Sequence, residues 1–235
     1  MFETQIRRFT ATAGIISVVL YVVSAALISD LPSINDSAGT WSSYTASHGP
    51  QFLAEVYIWG ATTAAVICFL TGLWSALRHA GRASDLLATL GLGAGLMIWA
   101  IVLAGFAPLL VLGYRAGSLD SASVKSLADL TLLGATLSAF PTAVSVGAFS
   151  VLILRTHALA RWTGWFGFLV VVAHLAAAGA FAQDGFFSPS MVSVFVAPPL
   201  YFLWTLIISV AVLRRPHASR ASAPSDKGAS APVAN

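Results

Sequence analysis

Glu55 is the carboxylate in this chain that water reaches least easily. It lies in the stretch Gly49-Pro50-Gln51-Phe52-Leu53-Ala54-Glu55-Val56-Tyr57-Ile58-Trp59-Gly60, which opens a long apolar run. Proline suits the first turn of a helix, so the spacing predicts a helix that starts near Pro50. Glu55 then sits about 7 Å from that start at 1.5 Å per residue. Gln51, Phe52, Ile58, Trp59 and Thr62 are its helical neighbours, while Tyr57 points away. A carboxylate beside Phe52 and Trp59 is costly to hold unless a cation reaches it. Arg115, Lys125, His48 and His174 are the candidates. An ionisable residue inside a membrane segment marks a functional site by default. The plainer alternative is an interfacial Glu that reaches water or pairs with Arg115.

Three more groups belong with it. His174 stands among Val170, Val171, Ala177, Ala178 and Phe181 in another apolar run. A lone histidine on an apolar face is commonly a hydrogen-bonded structural residue, yet its depth matches that of Glu55. Asp129 opens the fourth apolar run, and Asp184 stands in the short turn before the last. Both fit solvated interface positions equally well. Together they describe an outward-facing pocket whose ligand-binding residues are Glu55, Trp59, His174, Phe52, Phe181 and Arg115. A metal is not expected, because no two ligands share one helical face at metal spacing. A b-type haem would need two membrane histidines, and His174 alone qualifies; no cofactor is expected.

These residues must be positioned by a membrane bundle. Of 235 residues 57% are hydrophobic and 9% charged, against roughly 25% charged in a soluble domain. Zinc spacings, phosphate loops, nucleophile elbows and nucleic-acid modules are absent from the sequence, and the lone Cys68 permits no internal disulfide. Six charge-free runs reach the length of about 20 residues that a span needs: 9–29, 56–77, 86–114, 130–154, 162–183 and 185–213. The first follows Arg7 and Arg8 as a signal peptide would, but it is too long and lacks a clean cleavage site. The expected fold is therefore all-α, a polytopic six-transmembrane-helix bundle over 1–215, with a disordered cytoplasmic tail over 216–235.

Charge orients the bundle. Arg7, Arg8, Arg78, Arg82, Arg155, Arg161, Arg214, Arg215, Arg220 and Lys227 fall on one side, and only Arg115 and Lys125 on the other. The positive-inside rule then puts both termini in the cytoplasm. Stop-transfer anchoring and snorkelling account for the basic clusters. The longest loop, 30–50, carries Trp41, Tyr44 and His48, which lie either at the interface as a belt or over the bundle mouth as a lid. Ser121 or Ser123 is expected to cap the helix that follows the 116–126 loop. Pro108, Pro141 and Pro198-Pro199 predict kinks that can open a cavity. Gly91, Gly95, Gly164 and Gly167 predict close helix packing within the chain.

Four segments carry a resemblance. Tyr44, His48 and Pro50-Gln51 enter the second helix. Leu77-Arg78-His79-Ala80-Gly81-Arg82 forms a cytoplasmic turn. Leu159-Ala160-Arg161-Trp162-Thr163-Gly164-Trp165-Phe166-Gly167 opens the fifth helix, and Leu203-Trp204, Val210 and Leu213-Arg214-Arg215 close the sixth. In these the chain resembles multi-helix membrane proteins of actinobacteria that share a domain of unknown function. That implies a bacterial plasma-membrane location and brings no established activity or functional residues. It also resembles the small integral-membrane terpene cyclases, which use carboxylates to protonate an epoxide or alkene. That resemblance implies Glu55 as proton donor, Asp184 or Asp129 as second acid, and Trp59, Phe52, Phe181 and Phe186 as aromatic walls.

Three functions are open on the sequence. The first is binding of a membrane lipid or apolar small molecule at Glu55. The second is an intramembrane acid-catalysed cyclase or isomerase. The third is a proton-coupled transporter, although the two halves show no matching repeat. No nucleic-acid partner is expected.

Overall fold

The computed structural model describes residues 2–28, 30–78, 82–179, 182 and 195–214. The predicted tail, Phe181, Asp184 and Phe186 lie outside them. Among the described residues seven helices follow one another: α1 (Phe2–Leu27), α2 (Ala38–Leu77), α3 (Arg82–Tyr114), α4 (Ser121–Leu137), α5 (Ala139–Thr156), α6 (Arg161–Ala178) and α7 (Ala197–Arg214). No strand occurs among the described residues. Among the described residues six segments are long and apolar enough to cross a bilayer, with α4 and α5 together making the fourth. The all-α, six-span expectation holds, and the chain is a multi-pass membrane protein.

Two element boundaries differ from expectation, each for a local reason. The second helix begins at Ala38, well before Pro50. Ser37 caps it, its hydroxyl accepting the Thr40 amide at 3.1 Å. Trp41 then anchors the first turn by donating its indole N–H to the Ser33 carbonyl at 3.0 Å. Pro50 kinks the helix instead of starting it: it has no N–H to return to the preceding turn, and His48 leaves helical geometry at φ −118°, ψ 18°. The fourth span is also divided. Pro141 cannot donate to the carbonyl one turn back, so α4 stops at Leu137 and α5 restarts with the Thr142 amide bonded to the Ser138 carbonyl at 3.0 Å. Pro108 is accommodated inside α3 without a break, and Pro198 and Pro199 stand in the first turn of α7.

The cap of α4 is Asp120, where Ser121 or Ser123 was expected. Its carboxylate accepts the Ser123 hydroxyl at 2.6 Å and the Ser123 amide at 3.0 Å. Those two bonds, the hydroxyl first, hold its pKa below the usual aspartate value.

Packing arranges α1, α2, α3, α5, α6 and α7 as a closed ring in that order, with α7 returning to α1, and α4 lies outside against α2 and α3. Neighbours in the ring run antiparallel, since Thr10 meets Gly72 while Ser24 meets Glu55, and Leu70 meets Gly95 while Gly49 meets Gly113. Lipid offers no hydrophobic drive for helices to associate, so backbones must approach closely for dispersion to hold them. Glycine allows that approach. A Cβ at Gly72 would stand 1.8 Å from Thr10 Oγ1 and 2.7 Å from Thr10 Cβ, and one at Gly95 would stand 2.6 Å from Leu70. At Gly91 the α3 carbonyl also accepts the Ser145 hydroxyl of α5 at 2.7 Å. The small residues of α3 and α6 thus pack within the chain, as expected.

Two apolar clusters result. The larger fills the ring, with Phe69, Leu70, Trp99, Phe149, Tyr201, Phe202, Trp204 and Ile208 among its members. The smaller lies beneath the first turns of α2: Trp41 and Phe52 pack there with Leu109 and Leu112 of α3 and Val124, Ala128 and Leu132 of α4. Trp41 is 1% exposed, so it covers this end of the bundle and is not part of a lipid-facing belt. Lys125 ties the cover down by donating to the Ile34 carbonyl at 2.7 Å. Outward-facing side chains are apolar (Phe9, Val22, Leu86, Met97, Val172), with Trp162 and Trp165 exposed at one end and Tyr114 at the other.

Alanine at Gly72 is expected to lower stability by about 1–3 kcal/mol through overpacking, while Gly93→Ala, where a Cβ meets nothing within 4 Å, leaves it unchanged or slightly raised. Thermal unfolding of the two variants in one detergent compares them. Equal midpoints would show that the α1–α2 approach does not depend on the missing Cβ.

Candidate functional site

Glu55 follows the His48–Pro50 kink by little more than a turn, and the kink sets the face that α2 turns inward. Its side chain is 1% exposed. Oε1 accepts the Ser24 hydroxyl of α1 at 2.5 Å and the Trp59 indole N–H at 2.7 Å. Trp59 can reach it because residues four apart share a helical face. Oε2 is buried with no partner. One oxygen therefore joins α1 to α2, and the other points at nothing that can answer it.

None of the expected cations meets this carboxyl. Arg115 is exposed at the end of α3. Lys125 forms an ion pair with Asp129 on its own helix. His48 stacks on Tyr44 at 3.9 Å, with Nδ1 2.9 Å from the Tyr44 carbonyl oxygen. His174 is buried in α6, with Nδ1 2.9 Å from the Val170 carbonyl oxygen. The Glu55–Arg115 pair and the water-reaching interfacial Glu are both replaced by a dry carboxyl held by two neutral donors. As the acid, its O–H sits on Oε2 and is ready to donate. As the carboxylate, Oε2 is an open acceptor.

An aromatic cluster extends from this point into the ring. Trp59 stacks on Phe106 at 4.9 Å and lies within 6.3 Å of Tyr21, Trp99 and Phe202. Tyr21 stacks on Phe202 at 4.2 Å. Trp99 and Phe202 adjoin Tyr201, and Tyr201 lies edge-on to His174 at 6.3 Å. Glu55 and His174 thus mark two borders of one cluster, with no hydrogen bond or ion pair between them.

The expected set is only partly brought together. Trp59 belongs to the site and His174 borders its cluster. Phe52 turns away into the smaller apolar cluster with Trp41 and Tyr44. Asp129 is drawn off by Lys125 on α4, outside the ring. Asp184 and Phe181 lie outside the described residues. Ser24, Tyr21, Trp99, Phe106, Tyr201 and Phe202 were not anticipated. Ser24 is a small polar residue in an apolar helix, a type too common in spans to single out. Among the described residues no group of three His, Cys, Asp or Glu is placed to hold a metal.

No family model, curated protein or solved structure matches the chain.

Ser24→Ala should destabilise the protein by about 1–3 kcal/mol, the cost of withdrawing a partner from a buried polar group. Glu55→Gln keeps an acceptor oxygen for both donors and should stay near wild-type stability. Denaturation monitored by tryptophan fluorescence compares them. Wild-type stability in Ser24→Ala would mean that the α1–α2 joint rests on packing alone.

Proposed function

We propose that the chain is a bacterial plasma-membrane protein that holds a lipid or apolar small molecule against Glu55. The observation that carries this reading is the partnerless, buried Oε2, beside an oxygen already occupied twice. Two fixed donors on Oε1 orient the carboxyl, and preorientation is what a binding group needs. The aromatic rings beside it supply apolar walls with few rotatable bonds to order. An apolar molecule with one hydrogen-bonding group would satisfy Oε2 and lie against those walls.

Bound material is the direct test. Wild-type protein purified in mild detergent is expected to retain an apolar molecule detectable by mass spectrometry of an organic extract. Glu55→Leu, which removes both oxygens at similar volume, should retain at least about tenfold less, as loss of a charged or acid hydrogen bond implies. Equal content in the two proteins would overturn the reading.

A second reading is favoured by the ring faces of Trp59, Phe106, Trp99 and Phe202. An acid beside several aromatic faces suits protonation of an alkene or epoxide, because such faces stabilise a cation. It differs from simple binding in one respect: Glu55→Gln would keep the ligand and abolish its conversion, and conversion by that variant would exclude it.

We infer from the charge distribution that both termini lie in the cytoplasm. Arg7, Arg78, Arg155, Arg161 and Arg214 lie at one end of the antiparallel ring, and the positive-inside rule turns that end inward. A fluorescent protein fused to the C-terminus should glow and a phosphatase fused there should be silent; the reverse pattern would invert the topology.

A further inference from the structure

The free oxygen of Glu55 can take a donor, or as the acid it can seek an acceptor. Its surroundings choose between the two. The carboxyl is fixed at the edge of Trp59, whose N–H holds Oε1 at 2.7 Å. Trp59 is stacked on Phe106 at 4.9 Å, and Tyr21 and Phe202 each lie 6.3 Å from it. The face of an aromatic ring is the negative end of its quadrupole. It disfavours an acceptor oxygen and attracts a positive group. A carboxylate does the same. Both kinds of group at this site therefore select positive charge.

The chain does not bring that charge. Among the described residues no cation pairs with Glu55: Lys125 pairs with Asp129 on α4, outside the ring, and His174 bonds to its own helix. A buried carboxylate left without a cation is strongly unfavourable, and a bound cation removes that cost.

Uncovered surface lies at the same place. Trp59 touches rings of α1, α3 and α7, so it points into the bundle. Yet Trp59, Tyr21 and Phe106 are only partly buried. Trp99, Tyr201 and Phe202, the other members of the cluster, are each under 5% exposed. The surface that the protein leaves uncovered thus gathers on the three rings nearest the carboxyl.

We propose that Glu55 Oε2 and the rings of Trp59, Tyr21 and Phe106 form a site for the protonated amine of an apolar molecule. This rests on the reading that an apolar molecule binds at Glu55, and it names the hydrogen-bonding group of that molecule. The ammonium N–H donates to Oε2, and the carbons attached to the nitrogen lie against the ring faces.

The test uses the full chain in nonionic detergent at neutral pH and two probes of one shape. N,N-Dimethylbenzylamine is protonated there and carries one N–H, while isobutylbenzene replaces the nitrogen with carbon. Equilibrium dialysis against the same micelles without protein measures binding of each. Wild-type protein should bind the amine at least about tenfold more tightly than the hydrocarbon, the effect of one hydrogen bond to a charged group. Glu55→Gln keeps an oxygen for Ser24 and Trp59, and should bring that ratio below about threefold without weakening the hydrocarbon. Phe106→Leu should lower the ratio by about threefold through loss of a ring face. Asp85→Asn, which removes a carboxylate in the first turn of α3, should leave it unchanged. Equal affinities for the two probes in wild type, or an unchanged ratio in Glu55→Gln, would overturn the amine site and leave the reading of an apolar ligand standing. Phe106→Leu carries the test if Glu55→Gln does not fold, and an unchanged ratio there has the same meaning. Failure of the amine to bind also overturns the site, while equal bound material in wild type and Glu55→Leu would overturn the underlying reading as well.

Discussion

The structure depends on how closely six helices can approach without water to press them together. In lipid the gain comes from dispersion and from a few hydrogen bonds between helices. Both need backbone-to-backbone proximity, and the chain provides it where a side chain is missing. Gly72 admits Thr10, Gly14 admits Ser209 and Phe69, Gly95 admits Leu70, and Gly167 admits Ser150. Each of these joins neighbours in the ring, and the ring encloses the aromatic interior. The carboxyl of Glu55 is dry because of this closeness.

Stability is drawn from two different solvents. The ring is held as membrane bundles are held. The small cluster under Trp41 spans the His48–Pro50 kink, with Trp41 before it and Phe52 after it, at the end where α2, about 60 Å long at 1.5 Å per residue over its 40 residues, runs past a hydrocarbon core of about 30 Å. Apolar burial is favourable there in the ordinary aqueous sense. Its ties to the bundle are polar and local: Trp41 to the Ser33 carbonyl, Lys125 to the Ile34 carbonyl, and the Lys125–Asp129 pair. The kink therefore separates a water-side cover from a lipid-side ring within one continuous helix.

Much of the fold was legible because bilayer thickness fixes span length and apolar runs record it directly. The internal packing role of Gly91, Gly95, Gly164 and Gly167 was legible for a related reason, since small residues in spans have few other uses. Element boundaries were less so. Pro50 fits a helix start and a kink equally well, and only the Ser37 cap and the Trp41 anchor, thirteen and nine residues earlier in the chain, decide between them. For the site, the chain spacing predicted Trp59 beside Glu55, because residues four apart always meet. Ser24, Trp99 and Tyr201 come from other helices, and depth along a span does not say which helices adjoin. Asp129 shows a different limit: its partner Lys125 lies four residues before it on the same helix, a local pair that an argument from depth passes over.

The ring closes between its first and last helices. Arg7 donates to the Val212 carbonyl at 3.0 and 3.3 Å, and Gly14 receives Ser209. Those contacts join residues some two hundred positions apart, so they form only after the other six described helices have been made. Until α7 arrives, Tyr21, Trp59 and Trp99 face a gap open to lipid along the whole depth of the membrane. Insertion of α7 brings Tyr201, Phe202 and Trp204 into that gap and shuts it. At that moment the interior of the bundle has a lateral opening towards lipid. Enclosure of the aromatic interior is thus a property of the first and seventh described helices together, and neither half of the chain carries it alone.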